Sequence, residues 1–149
     1  MIFNVKDVEQ FQEQKQFIDT AIVPLVSLDL SNEGMKQSSS KVEYLMSLTA
    51  FVEHQFKGRL MLTPPFSYTD NTRNDTNPVQ IKSELHAAGF KTVFFMTCDH
   101  YWTSKQNEIE VIWLPSIPLE SMDKAVKQRI LEDQLKQVIP ILTKAWSQQ

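Results

Sequence analysis

Cys98, Asp99 and His100 stand in a row, followed by Tyr101 and Trp102. They offer a thiol nucleophile, an orienting carboxylate and a general base. An imidazole beside a thiol lowers its pKa and yields the reactive thiolate. The spacing works against that chemistry. Residues i and i+2 share one face only while a strand continues, a bend at Asp99 would part Cys98 from His100, and no local signature of a cysteine hydrolase surrounds them. The favoured reading of Cys98 is a buried or half-buried structural thiol, and that of Asp99 the cap of a following turn.

Other chemistries are weaker still. His54, His86 and His100 show neither HxxxH nor CxxC spacing, so no metal site is expected. Three glycines cannot build a phosphate-cradling loop, and no cofactor is expected. In the stretch Tyr68–Thr76, Arg73 could clamp a polar ligand, although an ordinary solvated loop is the favoured reading. A formal net charge of −3 has the wrong sign for nucleic acid. The one cysteine cannot form an internal disulfide, which points to the cytoplasm. There is no signal-peptide pattern, and no apolar stretch approaches the ~20 residues of a membrane span.

Position is more telling than motif, and position depends on the elements. Asn4 caps a helix expected from Val5 to about Asp19. Ala21–Leu30 reads as a strand whose Pro24 places it at an edge, a bulge or a strand start, and so argues against a central position. Ser31–Ser39, polar and containing Gly34, reads as a loop. Ser40-Lys41-Val42-Glu43 has capping-box spacing and opens a helix that Gly58 ends. Leu60–Thr63 is a short strand stopped by Pro64-Pro65, and Phe66–Thr76 is expected to be a loop. Asn77-Pro78 opens a helix that Gly89 closes. Thr92–Thr97 is a buried strand, and Ile109–Leu114 is a strand that begins near an edge. Ser121 is placed as cap of a final helix that Pro140 should kink or interrupt.

This alternation predicts an α/β fold, residues 1–149 as a single domain. The expected architecture is a three-layer sandwich with a mostly parallel four-stranded sheet and helices on both faces, Rossmann-like. The short link His100–Asn107 leaves two options. Either the last two strands are antiparallel, or a single helical turn around Trp102 makes a parallel crossover, the slightly favoured version. In a parallel sheet the segments after the first three strands emerge at one end, where ligands of open α/β sheets bind. The candidate ligand-binding residues are therefore Asp29, Pro65, Phe66, Tyr68, Cys98, Asp99, His100 and Trp102. Asp99 and Trp102 are expected near Asp29 and the Pro64-Pro65 turn.

Several stretches carry a family likeness: Phe17–Leu25 (FIDTAIVPL), the Pro64-Pro65 strand end, Trp113–Glu120 (WLPSIPLE), and the tail through Asp133, Pro140 and Trp146. Over nearly its whole length the chain resembles the YpiF-like family from Bacillus-type bacteria. The resemblance implies a soluble bacterial cytosolic protein and brings no activity or catalytic residues with it. The leading functional expectation is a small binding or interaction module, with a small molecule or a protein as partner, no nucleic acid and no membrane insertion. The alternatives are a small hydrolase or transferase using Asp99, His100 and Cys98, and an assembly factor docking through the final helix.

Overall fold

The computed structural model describes all 149 residues. Asn4 accepts from the Asp7 amide at 2.7 Å and starts α1, Val5–Glu13. The helix stops well short of Asp19, because Ile18 is buried and the Asp19 carbonyl accepts from the Lys91 and Thr92 amides, which commits these residues to extended backbone. β1, Thr20–Leu28, follows. Next come α2 (Met35–Gln55), β2 (Leu60–Leu62) and β3 (Phe66–Thr69). A 3-10 turn at Arg73–Asp75 leads to α3, Pro78–Ala88, capped by Asn77 as expected and ended by Gly89 at φ +120°, a conformation that favours glycine. β4 (Thr92–Thr97), a 3-10 segment (His100–Lys105), β5 (Glu110–Trp113) and α4 (Lys124–Ser147) complete the chain.

All strands are parallel, in the order β2-β1-β4-β5, with β3 also paired to β1. β2 and β3 lie on the same side of β1: Thr20–Ile22 matches Leu60–Leu62, and Leu25–Leu28 matches Phe66–Thr69. They are two halves of one interrupted edge track, so four tracks hold five strands, and part of the expected 66–76 loop is strand. β1 is central, contrary to the expectation from Pro24. The Thr20 amide and the Ile22 carbonyl both bond toward the edge track, so by the two-residue period Pro24 also faces it, at the gap held by Pro64 and Pro65. A missing donor costs nothing where no acceptor is in line.

Strand alternation distributes the core between two faces. Ile22, Val26, Phe94, Met96 and Ile112 face α2 and α4, meeting Tyr44, Leu48, Val138 and Leu142. Ala21, Val23, Leu25, Val93, Phe95 and Val111 face the other layer, meeting Phe11 of α1, Trp102 of the 3-10 segment, and Ile81 and Leu85 of α3. This is the expected three-layer α/β sandwich. Parallel β4 and β5 are joined by the short helical crossover around the buried Trp102. β5 is an edge strand, and the Gln106 side-chain amide bonds both the N–H and the C=O of Val111, each at 3.1 Å.

Three helix expectations are corrected. α2 begins at Met35 rather than Ser40, because the Ser31 hydroxyl accepts from the Gly34 amide and its carbonyl from the Met35 amide. Ser40 is inside the helix and donates to Glu120 at 2.9 Å. α4 is capped by Asp123, which accepts from the Val126 amide, and not by Ser121. It also continues through Pro140: the carbonyl deprived of its donor belongs to exposed Lys136, on the solvent side where hydration replaces the bond. Beyond Pro140, Leu142 is fully buried and Trp146 donates to Thr20 at 2.7 Å. Truncation after Ile139 therefore strips the core and cannot separate docking from folding.

Adjacent residues of α4 test which face it buries. Leu142 is 0% exposed and Ile141 39%. Leu142→Ala should lower the unfolding free energy by about 2–5 kcal/mol in urea titrations, whereas Ile141→Ala should cost less than about 1 kcal/mol.

Candidate functional site

The strand order reverses between β1 and β4, and a cleft of about 390 Å³ opens at their carboxyl ends. One wall is the first half of α2. Gly34, Gln37, Ser38, Lys41, Val42 and Leu45 recur at three- and four-residue steps and line the cleft as a single stripe. The floor is the end of β1, Leu25 to Ser27, with Cys98 just past β4. Asp70, Arg73, Asp99 and His100 form the opposite side.

That opposite side is held by the Asp99 carboxylate. One oxygen accepts the Tyr68 hydroxyl at 2.7 Å and Arg73 Nε at 3.1 Å; the other accepts the Tyr101 amide at 3.1 Å and caps the 3-10 segment. The buried Trp102 indole N–H donates to the Tyr68 oxygen. Burial pushes the Tyr68 phenol well above its ordinary pKa, so it stays a donor. Arg73 also bonds Asp70 at 2.9 Å and lies 4.7 Å from the Tyr101 ring centroid. Burial opposes the Arg73 charge, but Asp99 and Asp70 outweigh it and raise the pKa.

Asp29 stands across the cleft. Its amide donates to the Ser38 hydroxyl at 2.9 Å, and its carboxylate accepts the Ser31 amide at 3.0 Å. Hydrogen bonding from Ser31 holds its pKa below the ordinary value. The carboxylate lies over Gly34 so closely that a Cβ there would fall 1.8 Å from Oδ2. Only glycine lets the carboxylate rest against the start of α2. Lys41, one of the cleft's cations, has neither an ion pair nor a hydrogen bond to its side chain, since every bridge in the protein is made by other residues.

The thiol is poorly suited to nucleophilic attack. Burial pushes Cys98 up to about 12, against a smaller opposing pull from Lys41. Behind it the Tyr44 hydroxyl, fully buried, has no partner, and burial raises its pKa too. His100 meets Trp113 edge-on at 5.0 Å, and Trp113 donates to the Cys98 carbonyl at 3.2 Å. Asp99 spends its oxygens on Tyr68, Arg73 and Tyr101 rather than on the neighbouring imidazole. No three His, Cys, Asp or Glu side chains are grouped to hold a metal.

Of the residues singled out from sequence, Asp29, Cys98, Asp99 and His100 line the cleft, and Tyr68 and Trp102 brace it from behind through Asp99. Pro65 and Phe66 do not reach it; both are exposed on the edge track, away from the lining. Sequence reasoning overlooked Gln37, Ser38 and Lys41, whose 34/37/38/41/42/45 spacing is a helical stripe hidden by treating Ser31–Ser39 as a loop. Arg73 does clamp, but onto carboxylates of its own chain.

Removing the bracing carboxylate should be costly. Asp99→Ala takes one of the two carboxylates from Arg73 and the acceptor from the Tyr68 hydroxyl and is expected to lose about 1.5–3 kcal/mol of unfolding free energy by chemical denaturation, while Asp70→Ala, which removes a carboxylate that is itself 77% exposed, should lose less than about 1 kcal/mol.

No solved structure matches this chain. It is 28% identical over 147 residues to the Bacillus subtilis (strain 168) uncharacterized protein YpiF, covering 99% of each chain. The family model described as protein of unknown function (DUF2487) matches residues 9–146, and the chain belongs to that family, the YpiF-like proteins.

Proposed function

We propose that this protein is a single-domain cytoplasmic binding module that takes a small polar molecule in the cleft at the carboxyl ends of β1 and β4. The observation that carries this reading is the composition of that cleft. It lies where the strand order reverses, its volume falls within the usual range for ligand sites, and it presents polar and charged side chains around an apolar floor. The candidate residues are Asp29, Cys98, Asp99 and His100, supported by Tyr68 and Trp102. No helix is long and apolar enough to cross a membrane. The negative net charge favours small molecules or proteins over nucleic acid, and the single cysteine favours a reducing compartment.

Binding is a better fit than turnover. A hydrolase built on Cys98 needs its thiolate and a base within reach of each other. Here the thiol is held protonated and the Asp99 carboxylate is occupied in bracing the wall.

The test is an NMR titration of the whole chain with a mixture of dicarboxylates, amino acids, sugar phosphates and nucleotides. Amide shifts should concentrate at Ser27, Asp29, Ser38 and Cys98. Shifts confined to other surfaces, or none up to millimolar concentration, would overturn the reading. Cys98 should react with iodoacetamide at pH 7.5 at least about tenfold more slowly than a free cysteine, gaining speed only as the pH climbs toward about 12. Fast alkylation at neutral pH would revive the nucleophile.

A further inference from the structure

The charges of the cleft divide into those already spent and those still available. Arg73 is spent: Asp99 and Asp70 both pair with it, and two carboxylates against one guanidinium leave that side with one excess negative charge. Lys41 has no protein partner. Asp29 is hydrogen bonded at Oδ1 by the Ser31 amide but faces no cation. The cleft thus offers one unpaired cation, on α2, and one unpaired anion, on the segment that follows β1. They do not neutralise each other. The Asp29 carboxylate is parked at Gly34, and Lys41 lies seven residues further along α2, roughly 10 Å at the helical rise. The stripe between them carries the polar Gln37 and Ser38, while Leu25, Val26, Val42, Leu45 and the Cys98 thiol supply the apolar part of the lining.

From this arrangement we infer that the ligand is a zwitterion with an amine and an acid group held apart by a short apolar body, the amine meeting Asp29 and the acid meeting Lys41. The inference rests on the binding reading above and narrows it to one chemical class. A simple anion would answer Lys41 but leave Asp29 facing it across the same cleft, and a simple cation would do the reverse. Only a ligand with both charges pairs both groups while its chain covers the apolar floor. The excess negative charge around Arg73 adds to the preference for an amine and sets the cleft against dianions.

The probes are 6-aminohexanoate, hexanoate and hexylamine, which share a six-carbon body and differ only in charge. Each is titrated into the 15N-labelled chain while the Ser38 and Cys98 amides are followed. 6-Aminohexanoate should bind at least about tenfold more tightly than either singly charged probe. Lys41→Gln and Asp29→Asn should each remove most of that advantage, with Asp29→Asn shifting the preference toward hexanoate. Both positions are exposed, and an unchanged spectrum away from the cleft shows that each variant is folded. Equal binding of hexanoate, or an advantage that survives both substitutions, overturns the zwitterion. Absence of binding by all three also overturns it, whereas the binding reading falls only if the broad mixture gives no cleft shifts.

Discussion

A single carboxylate organises the end of the sheet where the cleft lies. Asp99 leaves β4 and at once accepts from Tyr68 on β3, from Arg73 in the first 3-10 turn and from the Tyr101 amide in the second. Three donors, two of them some thirty residues back along the chain, converge on two oxygens. The arrangement suits a half-buried site, since each donor to Asp99 lessens the cost of withdrawing its charge from water, and Asp99 in turn keeps Arg73 ionised. Chemically, the carboxylate that could have oriented a catalytic base is committed to architecture, and so is the neighbouring guanidinium. What remains open to a partner is the far wall, on α2.

Pro24 shows how a local rule and a tertiary solution can both hold. The rule says proline does not belong in a central strand, and β1 is central. The sheet reconciles the two by breaking the neighbouring track where the amide is missing, and Pro64-Pro65 makes that break. The half-strand that follows the break carries Tyr68 with its side chain buried and in reach of Asp99. The resumed edge track thereby helps to position the cleft wall.

Where pattern and propensity agree, the sequence was legible. Thr92–Thr97 reads as a buried strand because both faces are covered, and Asn77-Pro78 with Gly89 marks the ends of α3 through backbone chemistry alone. Alternation of these elements was enough for the three layers. Legibility failed where distant partners decide. Ser31–Ser39 has the composition of a loop, yet its serines bond the end of β1 and the chain winds early. β3 looks like loop because its only partner is the far half of β1. The site divided in the same way: residues directly after strands were visible from topology, whereas Gln37, Ser38 and Lys41 depended on where α2 starts.

Gln106 carries a consequence for behaviour at high concentration. By engaging both backbone groups of Val111 it occupies the outward positions of β5 with a side chain that mimics one more strand. On the opposite border the Leu62 amide is taken by the Met1 carbonyl, and the two prolines that follow have no N–H to offer. A sheet this rich in Val, Phe and Ile would be a template for edge-to-edge aggregation if its borders were bare. With Val111 on one border and Leu62 on the other engaged from within the chain, fewer backbone groups are left along which a neighbouring sheet could pair.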